Sequence, residues 1–68
     1  MTDKELLVEA INASGLKRRY IAEQLGLSYQ GFLNKVNNKS AFTAHEIQIM
    51  KDVLALPTDQ MMAIFFKD

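Results

Sequence analysis

The sequence contains no cysteine and a single histidine among its 68 residues, and it has no long apolar run. Without cysteine there is no disulfide, and one histidine is too few for a structural zinc site. The longest apolar run, residues 61–66, is far shorter than the roughly 20 residues that a transmembrane helix needs. Asp3 and Glu5 occupy the region where a secretory signal is basic, so we expect no signal peptide, no membrane partner and a cytoplasmic protein.

A chain of 68 residues has room for one domain, which we place at residues 1–68. Its 49% hydrophobic and 24% charged residues are typical of a folded chain rather than a disordered one. No stretch alternates apolar and polar residues as a strand does, and no internal repeat is present. These absences favour an all-α fold.

The net charge of zero conceals an uneven distribution of charge along the chain. Residues 1–16 carry one cation against three acids, a net charge of −2, and residues 40–68 carry two cations against four acids, again −2. Residues 17–39 carry five cations against Glu23 alone, which gives +4. A basic segment between acidic flanks indicates a localised phosphate-binding face.

Threonine and serine residues mark where helices begin. Thr2 and Thr43 each start a capping box, in which a glutamate three residues later bonds back to the cap amide. Thr58, preceded by Pro57, predicts the start of another helix, and Ser28 predicts one more. The apolar spacing along the chain predicts five short helices around one core. The side chains expected in that core are Leu6, Leu7, Ala10, Ile11, Ile21, Ala22, Leu25, Leu27, Phe32, Val36, Phe42, Ile47, Met50, Leu54, Met61, Ile64 and Phe65.

Glycine and asparagine mark the helix ends, because they adopt left-handed backbone conformations readily. Gly15 ends the first helix, and the pair Asn37 and Asn38 ends the third. Gly26 ends the second helix, expected over residues 17–25, and leaves only about three residues before the third helix starts. Two short helices joined by so tight a turn have the geometry of a DNA-reading helix-turn-helix, whose second helix enters the major groove.

The residues around this turn also carry a family resemblance. They are Tyr20-Ile21-Ala22-Glu23-Gln24-Leu25-Gly26-Leu27-Ser28, then Phe32, residues 35–39, Phe42 and residues 46–47. Over almost its whole length the chain resembles the Cro/repressor-type helix-turn-helix family, also called the XRE family, and especially its short phage-encoded members. The resemblance implies a lambda-repressor-like bundle of five helices that binds DNA, in the cytoplasm of a bacterial host if the chain is phage-encoded.

Three positions depart from the family pattern. Lys17 stands where relatives usually have a Ser, Thr or Asn cap, and Asn38 stands where glycine is more frequent. Lys35 occupies a position where many relatives bury an isoleucine or leucine. We therefore expect Val36 to face the core in its place.

The resemblance implies which residues face DNA bases. They lie in the first turn of the third helix and one turn later: Ser28, Tyr29, Gln30, Leu33, Asn34 and Asn37. Gln30 and Asn34 carry amides that can each pair bidentately with adenine, and Tyr29 offers a ring for a thymine methyl and a hydroxyl for a phosphate. The alternative is a polar helix face that contacts only solvent.

Five cations are candidates for contacts to DNA phosphates: Lys17, Arg18, Arg19, Lys35 and Lys39. Arg18 and Arg19 lie in the first turn of the second helix, where the helix dipole disfavours a cation by about 0.3–1 kcal/mol. A bound phosphate would explain their presence. The alternatives are arginines paired with Glu23 or with first-helix acids, and lysines that are only solvated.

No constellation of residues indicates an enzyme. The serines have no His and Asp partners, and there is no glycine-rich phosphate loop. His45 has no second ligand nearby, so we expect a surface residue, no metal site and no cofactor. Met62 and Phe66, one turn apart in the last helix, exceed what a small core covers. We expect them to form a patch for a second copy or another partner, unless Phe66 folds over the first helix.

Two functions are compatible with these observations. The first is a sequence-specific transcriptional regulator, a repressor that occupies double-stranded operator DNA through residues 28–37. It would act as a homodimer with half-sites about 34 Å apart. The alternative is a protein-binding modulator or antirepressor on the same fold, which engages a partner repressor. The zero net charge favours it modestly, because a free-standing DNA binder usually has a basic excess.

Overall fold

A computed structural model describes residues 1–67 of the chain. Within that range it contains no strand and five helices: α1 (Lys4–Ser14), α2 (Arg18–Gln24), α3 (Tyr29–Val36), α4 (Ala44–Val53) and α5 (Thr58–Phe65). The expected all-α class and the number of helices are confirmed. α1 packs against α3 and α5, α2 packs against α3 and α4, and α4 packs against α5. None of these helices is long and apolar enough to cross a lipid bilayer.

Two of the expected N-terminal caps are confirmed. The Oγ of Ser28 accepts the Gly31 amide at 3.0 Å and starts α3. Thr43 and Glu46 form the complete capping box at the start of α4, because each side chain accepts the backbone amide of the other residue. Both caps satisfy amides that the first helical turn leaves without a partner.

Two other expected caps are wrong. Asp3, not Thr2, caps α1, because the Asp3 carboxylate accepts the Leu6 amide at 3.1 Å. A carboxylate at this position also interacts favourably with the helix dipole. The cap of α5 is Pro57, whose backbone is extended, so Thr58 is the first helical residue and its hydroxyl makes no capping bond.

The helices α2, α3 and α4 end in the same way. The second residue after each helix has a positive φ: 70° at Gly26, 62° at Asn38 and 52° at Ala55. The next amide then bonds back into the helix, Leu27 to the Ala22 carbonyl, Lys39 to Asn34 and Leu56 to Lys51, at 2.8–3.0 Å. This arrangement, the Schellman motif, satisfies carbonyls at the helix end. The left-handed Gly26 and Asn38 were expected, whereas the left-handed Ala55 was not.

One apolar core lies between the five helices. Its buried members are Leu7, Ala10, Ile11, Ile21, Ala22, Leu25, Phe32, Val36, Phe42, Met50, Leu54, Leu56, Ile64 and Phe65. Most of the expected core is thereby confirmed, although Leu27, Ile47 and Met61 are only partly buried. Leu6 is 38% exposed, because Leu7 and its neighbours one turn later already fill the inward stripe of α1.

The two ends of the described chain are held together by backbone hydrogen bonds. The Asp3 amide donates to the Ile64 carbonyl at 2.6 Å. Met1 and Lys67 exchange two bonds at 3.2 Å, each through its backbone nitrogen and carbonyl. The segment before α1 also accepts a hydrogen bond from the Asn38 side chain, at 3.0 Å on the Thr2 carbonyl. The end of α3 is therefore tied to the N-terminal segment, which is itself bonded to Ile64 and Lys67.

Ala55 provides a test of the helix-end geometry. We expect Ala55→Gly to raise the free energy of unfolding by about 1 kcal/mol, because a non-glycine residue in the left-handed region costs roughly 1–2 kcal/mol. Ala63→Gly is the control, since Ala63 is an exposed alanine within α5 and should lose about 1 kcal/mol. Urea unfolding measures both variants. A loss of stability in Ala55→Gly would contradict the left-handed assignment.

Candidate nucleic-acid interface

Four residues, 25–28, connect α2 to α3, and each has a defined structural role. Leu25 is buried, Gly26 is left-handed, and the Leu27 amide closes α2 by donating to the Ala22 carbonyl at 3.0 Å. Ser28 is the cap of α3. The connection is one residue longer than the sequence predicts, because α2 ends at Gln24, and α2 packs directly against α3.

α3 has one apolar face and one face that carries amides. Phe32 and Val36 are buried in the core. On the outer side, Gln30 and Asn37 are exposed and Asn34 is half-buried. Helix residues three, four or seven positions apart share a face, so these three amides form one polar surface.

The other expected base contacts lie beside this surface. Tyr29 and Leu33 are half-buried, and Ser28 is exposed. The Oγ of Ser28 is occupied by the Gly31 amide, so only its hydroxyl hydrogen is free to donate to a ligand. Ser28 therefore has a structural role in addition to the expected one.

Two side-chain contacts organise the outer surface of α2 and α3. The Gln30 Nε2 donates to the Asn34 Oδ1 at 3.0 Å. The guanidinium carbon of Arg19 lies 4.3 Å from the centre of the Tyr29 ring, which is within the range of a cation–π interaction. Both contacts join residues that the sequence places in the candidate site.

Four of the five expected cations are accessible. Lys17, Arg19 and Lys39 are exposed, and Arg18 is half-buried. Within residues 1–67 the ion pairs are those of Lys35 with Glu46 and of Lys67 with Asp3. The alternative pairing of an arginine with Glu23 or with an acid of α1 is therefore not present in the described chain.

Lys35 forms an ion pair with Glu46 and is not open to solvent as the other four cations are. Its Nζ lies 2.5 Å from the Oε1 of Glu46, and the two side chains are 15% and 11% exposed. The same oxygen accepts the Thr43 amide at 2.8 Å. We therefore correct the expected phosphate contact at Lys35, because the ammonium group is turned toward α4 and already paired.

Glu46 was missing from the residues expected to matter for the site. In the sequence, the capping box accounts for Glu46 as a helix cap. No feature of the sequence indicates that its side chain is buried. The one residue that could have indicated a buried acid is Lys35, because it is a cation at a position where an apolar side chain is expected. A cation at the edge of a core requires a buried acid as its partner.

The pKa of Glu46 reflects this environment. Burial acts to raise the pKa of the carboxyl, but the hydrogen bonds from Lys35 and the Thr43 amide, with the charge of Lys35, outweigh it. The pKa in the folded protein therefore lies below the ordinary value of 4.5. A group whose pKa is lowered on folding stabilises the fold above that range, and the contribution is lost as the pH falls through the folded pKa.

The pH dependence of stability tests this ion pair. We expect the free energy of unfolding to fall as the pH is lowered below 4.5, and we expect Glu46→Gln to flatten that fall, because glutamine does not titrate. At neutral pH the variant should be less stable by about 1–2 kcal/mol. Thermal melting from pH 3 to 7 measures both effects.

Asp3 is the control for that measurement, because its pKa is also lowered, first by the hydrogen bond from the Leu6 amide. Asp3→Asn should therefore remove a separate part of the acid sensitivity and leave the part due to Glu46. Identical pH profiles for the wild type and Glu46→Gln would contradict the assigned role of the pair.

Met62 and Phe66 remain exposed on α5 and at its end, at 49% and 53%. Phe66 lines a groove of about 470 Å³ with Met1, Phe42 and Ile47. The alternative position of Phe66, folded over the first helix, is not adopted, because half of the side chain stays accessible. Both residues are therefore open to solvent, and their role as a patch for a second copy or another partner stays a prediction.

No known protein family, curated protein or solved structure matches this chain. His45 is exposed, and within residues 1–67 no three histidine or acidic side chains come together as a metal-binding group. The function is therefore inferred from the shape, charge and hydrogen-bonding groups of the described surface.

Proposed function

We propose that this protein is a sequence-specific DNA-binding transcriptional regulator of the Cro/repressor type. In this proposal α2 and α3 form the helix-turn-helix, and α3 enters the major groove. The observation that carries the proposal is the amide face of Gln30, Asn34 and Asn37, which lies on the outer side of a short helix that follows a tight, fully bonded turn. Amides of this kind recognise adenine edges in the major groove.

The charges near this face support the proposal. With Lys35 paired to Glu46, residues 17–39 retain four available cations, Lys17, Arg18, Arg19 and Lys39, against Glu23 alone, a net charge of +3. Lys17, Arg18 and Arg19 lie at the start of α2, and Lys39 lies just after α3. Cations at both sides of a reading helix are suited to contact the phosphates along the groove.

The size of the protein is compatible with a dimer on DNA. Its longest dimension is 27 Å, while successive major grooves on one side of a duplex are about 34 Å apart. Two copies therefore fit on adjacent half-sites without overlapping. Such a regulator would act by occupying operator DNA and excluding polymerase.

An electrophoretic shift assay tests the proposal. The probes are duplex DNA from beside the gene of this protein and a scrambled duplex of the same composition, each at two salt concentrations. We expect a complex with the first duplex that weakens with salt, because phosphate contacts release counterions. No preference for either duplex would contradict the proposal.

Arg18→Ala is expected to weaken specific and non-specific DNA binding alike. The slope of log affinity against log salt should become shallower by about one unit, as one phosphate contact is lost. Lys4→Ala is the matched control, because Lys4 is an exposed cation on α1, outside the segment 17–39 that carries the proposed phosphate contacts. A loss confined to the preferred sequence would instead make Arg18 a base contact.

The second candidate function is that of a protein-binding modulator or antirepressor, and the open groove beside Phe66 favours it. The same assay separates the two functions. Binding of DNA only after a partner repressor is added would support the modulator.

The exposed surface of α5 provides a test of assembly. We expect the wild type to dimerise weakly, and Met62→Ser with Phe66→Ser to reduce self-association while the monomer still folds. Burying each such side chain contributes about 1.5–3 kcal/mol. Sedimentation across a concentration series measures the change, with Tyr20→Ser, a substitution of an exposed side chain on α2, as the control. A wild type that stays monomeric throughout would remove the homodimer and reserve the surface for another partner.

A further inference from the structure

The amides of Gln30 and Asn34 are not independent of each other. Gln30 Nε2 donates to Asn34 Oδ1 at 3.0 Å, across one turn of α3. The sequence alone treats each amide as the reader of its own adenine. The contact between them requires an account of which hydrogen-bonding groups remain free for DNA.

Gln30 retains everything that adenine recognition needs. A bidentate amide uses its oxygen to accept from the adenine N6 amino group and one N–H to donate to N7. The Gln30 amide has two N–H groups, and only one is engaged by Asn34. Its Oε1 and its second N–H are therefore both available.

Asn34 is placed differently. Its Oδ1 has two acceptor sites, and one of them already receives the Gln30 N–H. Asn34 is also half-buried on α3, whereas Gln30 is exposed and has the longer side chain. The Gln30 amide thus extends further outward, and Asn34 supports it from the side nearer to the helix.

We infer that Gln30 reads one A·T base pair in the major groove and that Asn34 is a positioning residue for Gln30 rather than a reader of a second base. This inference rests on the proposed function of DNA binding. It reduces two expected adenine contacts to one. It also means that a single base preference depends on two side chains.

The experiment is a selection of preferred duplexes from a randomised duplex library, carried out with the wild type and with four variants. Gln30→Ala should lose about tenfold or more of its preference for A·T at one base pair, equivalent to a bidentate contact. Asn34→Ala should lose about threefold at that same base pair, and none elsewhere, because a neutral supporting hydrogen bond is weaker.

Two variants separate support from reading. Asn34→Asp keeps an oxygen that accepts the Gln30 N–H, so its A·T preference at that base pair should stay close to the wild type. Its total affinity should fall uniformly, because the new charge repels phosphates. Asn12→Ala is the matched control, since Asn12 is an exposed amide on α1, and it should leave both quantities unchanged.

A measurement on the free protein checks the contact itself. The Gln30 Nε2 proton that bonds to Asn34 should exchange with water more slowly in the wild type than in Asn34→Ala, and its chemical shift should change in that variant. Exchange that is equally fast in the wild type and in Asn34→Ala would overturn the inference. Thermal melting of each variant shows whether it is folded.

The outcomes distinguish this inference from the function on which it rests. A wild type that selects no sequence at all contradicts the proposed function, and the inference with it. A wild type that selects a clear sequence, combined with Asn34→Ala relaxing a different base pair from Gln30→Ala, overturns the inference alone. A Gln30→Ala variant that keeps the base preferences of the wild type would also overturn the inference alone.

Discussion

The Oε1 atom of Glu46 connects α3 to α4, and it fixes the orientation of α3 together with the buried side chains of Phe32 and Val36. It accepts the Thr43 amide, which starts α4, and the ammonium of Lys35 in the last turn of α3. A half-buried lysine without this partner would be left with an unpaired charge at the edge of the core. The pair therefore holds Lys35 toward α4. Gln30 and Asn37 lie on the opposite side of the helix from Lys35, because successive helix residues are rotated by a fixed angle, and they therefore face outward.

The same pair changes how the charge of the protein is distributed in space. It neutralises one cation of the basic segment and one acid of the C-terminal part, and it removes both from solvent. The remaining cations of the basic segment lie at the start of α2 and just after α3, while most acids lie on the other helices. A zero net charge is thus compatible with a positive field over one face. Such a protein would have little attraction for DNA in other orientations.

The groove beside Phe66 adjoins the candidate interface. Asn38 and Lys39, which follow α3, belong to its lining together with the apolar side chains. Asn38 also bonds to the Thr2 carbonyl and so links α3 to the N-terminal segment. A protein partner seated in this groove would contact Lys39, one of the proposed phosphate contacts. The groove and the proposed DNA-binding surface therefore adjoin at Lys39, and a partner bound at one of them would affect binding at the other.

Much of the fold could be predicted because its signals are local. Ser28, Thr43, Gly26 and Asn38 act within four or five residues of their own position, so their roles follow from residue type. The competition between Thr2 and Asp3 could not be resolved locally, because both are good caps. It is decided by the pairing of the N-terminal segment with α5 and by Asn38, which are remote in the chain.

Alanine gives no local signal for a left-handed position, so the conformation of Ala55 could not be predicted either. The candidate site was predicted as a set of single residues. What the sequence could not supply was their coupling, since the contacts of Arg19 with Tyr29 and of Lys35 with Glu46 depend on how neighbouring helices are packed.

The connection between α2 and α3 also determines where the chain can change in length. Each residue from 25 to 28 has one structural role: Leu25 is in the core, Gly26 has a left-handed backbone, the Leu27 amide completes the end of α2, and Ser28 caps α3. A deletion there removes one of these functions, and an insertion separates the two helices that the connection joins. The segment between α3 and α4 is different, because Ser40 and Ala41 are exposed and neither makes a hydrogen bond that closes or caps a helix. Insertions and deletions are therefore tolerated better at that segment than between α2 and α3, because they leave the orientation of α3 against α2 intact.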